Sequence, residues 1–325
     1  MNQSWKNTAA RFLIAQTISL FGSSLVQYAI VWYITLSTSS GRMLTISTVC
    51  GFAPQIAISL FAGVWIDRYD RKSLIMLSDT IIALSTLILA IAFLSGHRNI
   101  WLLFTVLMVR SAGTGIQTPA VNAVIPQIVP QKHLMQVNGI QNTLTSLIMF
   151  LSPAVSGAIL SVSTLETTLF IDVFTALIGV GITSALTIPG YRKDMMAGSD
   201  NAGRKDGLKS RDNIKESSGI LSMKQGFLYL KTDSFVRHLL LFQIAVLFLI
   251  SPSAFLTPLM VSRTFGPEVW RLTASEMTYS MGSVLGGILI TSWGGFKKRL
   301  KTTVLAGWLY GVLMAGLGVA PVFLF

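Results

Sequence analysis

This sequence has three ionisable side chains inside long apolar stretches, where they could bind or release protons. Asp79, Arg110 and Asp172 each lie within a run of mostly apolar residues. A carboxylate in a low-dielectric setting takes up a proton near neutral pH unless a cation is close, and Arg110 is a candidate cation. The pattern therefore favours proton binding inside a membrane. A structural salt bridge for Arg110, and acids wetted by lipid headgroups, are the alternatives.

Two further sets of polar residues recur at helical spacing. The first follows one face of the first apolar stretch, and the second begins the fifth: Gln16, Ser19, Ser23 and Gln27, then Asn138 and Asn142. A polar stripe in lipid must face a cavity or a partner helix. These residues are therefore candidates for lining a substrate cavity. Hydrogen bonding between helices would explain the stripes nearly as well.

A basic turn with a fixed spacing of glycine and aspartate follows the second apolar stretch. It reads Gly63-Val-Trp-Ile-Asp67-Arg68-Tyr-Asp70-Arg71-Lys72. A glycine at position 63 would permit close approach of two helices, and the carboxylate of Asp67 would cap a helix end or pair with an arginine. An ordinary basic loop explains the cations but not Gly63 and Asp67 at this spacing.

This turn resembles the loop between helices two and three of the major facilitator superfamily. That family's pattern is Gly-x-x-x-Asp-Arg-x-x-Arg-Lys/Arg, and the sequence matches it at every position. The resemblance implies that the turn is part of a gate, formed by Gly63, Asp67, Arg68, Arg71 and Lys72. It also implies a fold of two helical bundles with twelve membrane-spanning helices.

Two shorter motifs resemble the same family less closely. Arg110-Ser-Ala-Gly113-Thr-Gly115 is similar to the helix-four motif Arg-x-x-x-Gly-x-Gly, with the first glycine one position early. Ser152-Pro153-Ala-Val-Ser-Gly157 is similar to the antiporter motif Gly-Pro-x-x-Gly-Gly, with two glycines replaced by serine. The resemblance implies that Arg110 serves the substrate cavity and proton coupling. The helix-packing or hinge residues it implies are Gly113, Gly115, Pro153 and Gly157.

The stretches 110–126 and 275–287 resemble the macrolide-efflux branch of the superfamily. This resemblance implies a secondary transporter that exports amphipathic small molecules, such as macrolide antibiotics, in exchange for protons. A siderophore or other small-molecule exporter on the same framework is an alternative. An inactive fragment or a non-transporting membrane sensor is another.

Enzyme, metal and cofactor chemistry find no support in the sequence. It has no Gly-x-Ser-x-Gly or His-Glu-x-x-His pattern, and no Gly-x-x-x-x-Gly-Lys-Ser/Thr loop for ATP. One cysteine and three scattered histidines cannot build a disulfide framework or a zinc cluster. The sequence therefore predicts a protein that is not an enzyme and that has neither a metal nor a cofactor.

The composition predicts an all-α membrane protein as the framework for these residues. The chain has 325 residues, of which 52% are hydrophobic and 12% charged, and its mean hydropathy is +0.64. Apolar runs long enough to cross a bilayer core of ~30 Å occur nine times. Their predicted limits are 12–36, 43–66, 73–95, 99–125, 139–162, 167–189, 236–262, 273–294 and 302–325.

One polar segment divides these spans into six and three. The predicted domains are a six-helix bundle over 1–189, a cytoplasmic linker over 190–235 and a partial second bundle over 236–325. Because related halves normally repeat, three further spans are expected beyond the nine. Within the linker, Ile220, Met223, Phe227 and Leu230 follow the spacing of an amphipathic helix on the membrane surface. A solvated linker is the alternative.

The distribution of basic residues predicts the orientation. The net charge is +12, and a cytoplasmic N-terminus places twenty of the 25 lysines and arginines inside. Only Arg42, Arg98, Arg263 and Arg271 would lie outside. This charge therefore indicates membrane-facing loops rather than nucleic-acid binding. We expect a multi-pass protein of the bacterial plasma (inner) membrane whose partners are lipid, a small-molecule substrate and protons, without an obligate protein partner.

Overall fold

A computed structural model describes residues 4–187, 234–293 and 299–319. Within these ranges the chain forms nine α-helices and no strand. Their bounds are α1 Ser4–Thr38, α2 Gly41–Arg68, α3 Arg71–Leu94, α4 Ile100–Ile128, α5 Leu134–Val162, α6 Leu165–Ala185, α7 Ser234–Thr264, α8 Val269–Trp293 and α9 Arg299–Val319. A short 3-10 helix, Gln131–His133, joins α4 to α5. The predicted linker and its amphipathic helix lie outside the described residues, apart from the first two residues of α7.

The helices α1 to α7 are each long and apolar enough to cross a membrane. The chain is therefore an all-α, multi-pass membrane protein, as the composition predicts. Two helices begin well before their predicted spans: α1 begins at Ser4 rather than 12, and α5 at Leu134 rather than 139. These two helices are longer than their apolar spans because helical hydrogen bonding continues through flanking polar residues, which a hydropathy pattern assigns to loops.

The first six helices pack as one bundle with two apolar layers. In this bundle α1 packs against α5 and α6, α3 lies between α4 and α6, and α2 packs on α4. One layer surrounds Phe12, Ile75 and Val124, near the turn that joins α2 to α3. We call this end of the bundle the basic end. The other layer surrounds Ile30 and Leu107, near the opposite end. Buried polar residues lie between the two layers.

The helices α7 and α8 contact this bundle near the opposite end. Trp32 of α1 forms a buried cluster with Val261 of α7 and Leu272 of α8. On α5, a Cβ atom added at Gly157 would lie 1.8 Å from the Oγ1 of Thr273, so α5 and α8 approach as closely as a glycine allows. The two groups of helices are therefore closed against each other at the opposite end.

The facing surfaces separate toward the basic end. Residues 281–289 of α8 are exposed on every side, as are Asn138 and Asn142 of α5. We call the space between the first six helices and α7–α8 the wedge. Its narrow end lies at the contact between Trp32 and Leu272, and it widens toward the basic end.

Candidate functional site

A buried ion pair lies in the polar layer of the first six helices. The guanidinium of Arg110 on α4 donates from Nη1 to the Oδ2 of Asp172 on α6. Arg110 is 5% exposed and Asp172 is fully buried. The sequence left this pairing open, and the structure brings the two residues together.

Helices α1 and α3 complete the hydrogen bonding of this pair. Arg110 also donates to the Oγ1 of Thr86 on α3 and, over 3.1 Å, to the carbonyl oxygen of Ser23 on α1. The two hydroxyls in turn donate to Asp172, from Thr86 over 3.0 Å and from Ser23 over 3.2 Å. A four-helix network therefore satisfies both charges, which a buried pair requires.

Asp79 lies in the same polar layer but outside this ion pair. Its Oδ1 accepts hydrogen bonds from the Ser19 hydroxyl, over 3.1 Å, and from the Gln117 side-chain amide. Its Oδ2 is buried and has no hydrogen-bond partner among the described residues. Asp79 is 2% exposed, and Arg110 pairs with Asp172 instead. Of the two acids, Asp79 is therefore the one that the described helices leave without a cation.

The polar stripe of α1 faces the interior of the bundle. Gln16 and Ser19 are buried, and Ser19 and Ser23 donate to Asp79 and Asp172. In this conformation α3, α4 and α6 cover that face of α1, so the three residues do not face an open space, and their place in a substrate cavity stays a prediction. Hydrogen bonding between helices, the alternative, accounts for Ser19 and Ser23.

The remaining cavity candidates lie elsewhere. Gln27 is half-buried beside α2, where a Cβ atom added at Gly51 would lie 3.4 Å from its Nε2. Asn138 and Asn142 are exposed on the basic half of α5. The two asparagines are therefore accessible in the wedge region, whereas Gln27 packs between α1 and α2.

Two cations of the basic turn tie α3 to its neighbours. Arg71 donates from Nη1 to the carbonyl oxygen of Ala123 on α4 over 2.7 Å. Lys72 donates from Nζ to the carbonyl oxygens of Ser184 and Leu186, over 2.7 and 2.8 Å. These carbonyls end α6, where a cation also interacts favourably with the helix dipole. Arg71 and Lys72 thus hold the first bundle together at its basic end.

The carboxylate that caps a helix in this turn is Asp70 rather than Asp67. Its Oδ2 accepts from the backbone N–H of Ser73 over 2.9 Å at the start of α3. Asp67 lies in the last turn of α2, is exposed, and makes no ion pair within the described ranges. A Cβ atom added at Gly63 would meet nothing within 4 Å, so the predicted close approach at Gly63 is absent in this conformation. Arg68 is also exposed.

The other predicted packing glycines do lie at close helix contacts. A Cβ atom at Gly113 would lie 2.7 Å from the Cγ1 of Ile82, and one at Gly115 would lie 2.8 Å from the carbonyl oxygen of Gln55. Pro153 lies within α5 and is buried, one turn before Gly157. These residues bring α4 against α2 and α3, and α5 against α8.

Thr86 is a site residue that the sequence reasoning missed. It bridges the two members of the ion pair, and it follows Asp79 by seven residues, which places both on one face of α3. That spacing could have identified Thr86 as a polar residue on the same helix face as Asp79. A second missed contact is the ion pair between Arg98 and Glu166, 3.0 Å apart at the opposite end, which joins the start of α6 to the loop between α3 and α4.

These observations define a multi-pass membrane protein with a fully hydrogen-bonded ion pair inside its first helical bundle. Its sequence matches the Major Facilitator Superfamily over residues 12–325. The chain therefore belongs to this family, whose members are transporters rather than enzymes.

Comparison with curated proteins supports a relationship to drug exporters. The chain is 28% identical to macrolide efflux protein A of Streptococcus pyogenes over 317 residues, which cover 98% of this chain and 74% of that protein. It is 28% identical to macrolide efflux protein A of Enterococcus faecalis over 282 residues, covering 87% and 82%. The staphyloferrin A transporter of Staphylococcus aureus is 22% identical over 162 residues, or 49% of this chain and 40% of that protein.

A solved structure shares the fold. It is a bacterial homologue of the human lysosomal transporter Spinster, in an inward-facing and unoccupied conformation, with a TM-score of 0.58 and 13% identity. The match covers 90% of this chain, which spans 64% of the length of that structure. At this identity the likeness describes the fold alone.

Proposed function

We propose that this protein is a secondary active exporter of amphipathic small molecules, such as macrolide antibiotics, driven by proton entry. We place it in the bacterial plasma membrane with a cytoplasmic N-terminus. The observation that carries the proposal is the buried Arg110–Asp172 pair, whose hydrogen bonds join α1, α3, α4 and α6. The matches to macrolide efflux proteins support the direction of transport and the class of substrate.

The ion pair supports coupling because its strength depends on the charge of Asp172. Removing two charges from water carries a desolvation cost of several kcal/mol per ion, so such a pair is weak evidence for stability alone. Protonation of Asp172 would cancel its attraction for Arg110 and leave the guanidinium held by Thr86 and Ser23. The helices that carry these residues would then shift relative to one another, which links proton uptake to a conformational change.

Asp79 is the second proton-binding group of the proposal. One of its oxygens has no partner among the described residues, and the pair with Asp172 occupies the nearest buried guanidinium. A buried carboxylate without a cation favours the protonated form. Asp79 is therefore the second residue to which the proposal assigns proton binding.

The exposed residues of the basic turn complete the transport cycle. Asp67 and Arg68 are exposed at the basic end, beside the wide end of the wedge. When the wedge closes at that end, they would contact the second bundle. With the proposed orientation the wide end opens to the cytoplasm, so the present conformation would receive substrate from inside the cell.

A siderophore exporter is the second candidate function. The similarity to the staphyloferrin A transporter favours it, although that match covers 49% of this chain compared with 98% for macrolide efflux protein A. Siderophores of the carboxylate type are anionic, whereas macrolides carry an amine. Transport assays with one compound of each charge separate the two candidates.

The function is tested by efflux from cells preloaded with a fluorescent macrolide, with and without a protonophore. We expect efflux by the wild type to stop with the protonophore, Arg110→Ala to abolish it, and Arg110→Lys to retain part, because lysine keeps the charge but not the bidentate geometry. Arg98→Ala is the matched control, since Arg98 is exposed at the opposite end. Efflux that ignores the protonophore, or normal efflux by Arg110→Ala, would contradict proton coupling.

A further inference from the structure

Glu276, near the start of α8, is an acid with no cation partner among the described residues. It is half-buried, and within the described residues its carboxylate makes no hydrogen bond and no ion pair. Because α8 packs against α5 and α7, Glu276 lies among membrane-spanning helices. An unpaired acid among membrane-spanning helices carries a large desolvation free energy, and by default it indicates a functional site. The one other acid in the described residues of this region, Glu268, pairs with Arg271 over 3.2 Å.

The contacts of α8 place Glu276 on the face that looks into the wedge. Leu272 packs on Trp32, and Thr273 contacts Gly157, so this face of α8 is turned toward α1 and α5. Glu276 follows these two residues by four and three positions and therefore lies on the same face, one turn nearer the basic end. It is thus positioned where the two groups of helices begin to separate.

Aromatic residues surround this position. Tyr28 precedes Trp32 by one turn of α1, and their ring centroids are 5.7 Å apart. Glu276 and Tyr279 of α8 are both close enough to interact electrostatically with the Tyr28 hydroxyl. Tyr279 is 66% exposed. The Trp32 indole N–H is buried and has no acceptor among the described residues.

We propose that Glu276, Tyr28 and Tyr279 bind the cationic amine of an amphipathic substrate at the narrow end of the wedge. This inference rests on the proposed function and deepens it by naming the chemistry that selects the substrate. No cation of the described helices pairs with this carboxylate, so a bound substrate cation would favour its ionised form and pair with it, and the two tyrosine rings supply cation–π contacts.

The test is equilibrium binding to the purified chain in lipid nanodiscs, without any proton gradient. The probes are tetraphenylphosphonium, a permanent aromatic cation, and triphenylphosphine oxide, a neutral molecule of similar shape. We expect Glu276→Gln to weaken tetraphenylphosphonium binding by at least about tenfold, or ~1.4 kcal/mol, and to leave binding of the neutral probe unchanged. Glu276→Asp should lose less, because the charge is kept.

Two further variants separate charge and ring effects. Tyr279→Phe keeps a ring and should bind the cation nearly as the wild type does, whereas Tyr279→Leu should weaken it several-fold. Glu268→Gln is the matched control, since it removes one negative charge from the end of the same helix outside the wedge and should change neither probe.

Several results would overturn the inference. One is unchanged cation binding by Glu276→Gln, and another is equal loss of both probes in that variant. Wild-type protein that binds neither probe, or that shows no preference for the cation, would also overturn it. Because the assay needs no gradient, these outcomes are independent of proton coupling, which the efflux assay with Arg110→Ala tests separately. Loss of gradient-driven efflux in Glu276→Gln with normal cation binding would assign Glu276 to proton transfer instead.

Discussion

A single hydroxyl, that of Thr86, serves both charges of the ion pair. It accepts from Arg110 and donates to Asp172, so it fixes the distance between α3 and the two helices that carry the charges. A serine or threonine in a membrane helix commonly bonds its own backbone, and Thr86 also contacts the carbonyl oxygen of Ile82 over 3.0 Å. Thr86 differs from such residues because its hydroxyl also bonds Arg110 and Asp172.

We predict that Thr86→Val lowers the free energy of unfolding by about 1–3 kcal/mol, because valine has the same shape but leaves buried polar groups unsatisfied. Thr80→Val, an exposed position on the same helix whose hydroxyl bonds only the Met76 carbonyl, should cost much less. Unfolding in detergent micelles measures both. Equal stability of the two variants would mean that the bridging hydroxyl adds nothing.

The sequence identified the charged members of this site and left open how they pair. Arg110, Asp79 and Asp172 were found because a charge in an apolar run is visible without a structure. Which acid pairs with Arg110 depends on how α4 and α6 face each other, and no local pattern records that. Glu276 shows the same limit, since the role we propose for it depends on Tyr28, which lies 248 residues earlier in the chain.

At the scale of the helices, the ends of α2 and α3 determine which aspartate of the basic turn caps a helix and which remains exposed. Because α2 continues to Arg68, Asp67 belongs to its last turn, and because α3 begins at Arg71, Asp70 is its N-cap. The sequence located the two spans well, but α2 ends and α3 begins two residues from the predicted limits, and this was enough to make Asp70 rather than Asp67 the cap.

We predict that Asp70→Ala lowers the free energy of unfolding by about 0.5–2 kcal/mol, because the Ser73 N–H loses its acceptor. Amide hydrogen exchange at the start of α3 should accelerate. Asp67→Asn is the control, and it should leave stability unchanged while slowing efflux, because its proposed contact forms only when the wedge closes. If Asp67→Asn unfolded as easily as Asp70→Ala, or transported normally, its role in the gate would be refuted.

The contact between α5 and α8 yields a prediction about conformation. Gly157→Ala should open the end of the molecule where Gly41 and Leu259 meet, because the added Cβ would overlap Thr273. We expect a short thiol crosslinker to join Gly41→Cys to Leu259→Cys efficiently in a Cys50→Ser background, and poorly once Gly157→Ala is added. Gly139→Ala, on the same helix with open space around it, should have no effect. Undiminished crosslinking with Gly157→Ala would show that α5 and α8 do not need this glycine.

At the scale of the whole molecule, the order of the helices followed from hydropathy, and each of the nine predicted spans overlaps a described helix. What hydropathy does not report is that α7 and α8 meet the first bundle at one end only. That feature comes from particular contacts, such as Trp32 against Leu272, and it makes the molecule asymmetric across the membrane.

The orientation of that asymmetry is testable with thiol labelling. In a Cys50→Ser background, we predict that Ser210→Cys in the linker resists an impermeant maleimide in intact cells, whereas His97→Cys reacts, since the lysines and arginines concentrate on the linker side. Permeabilised cells should label both, which controls for accessibility. Labelling of Ser210→Cys before permeabilisation would reverse the topology.

The ion pair lies wholly within the first six helices, whereas Glu276 belongs to α8. Natural selection by a new antibiotic can therefore act on the two kinds of residue separately. Under the two proposals, a substitution around Glu276 would change which compounds are recognised and would leave intact the residues to which we assign proton coupling. We expect resistant lineages to broaden or shift their drug spectrum through changes near Tyr28 and Glu276, while the Arg110–Asp172 network persists unaltered through that divergence.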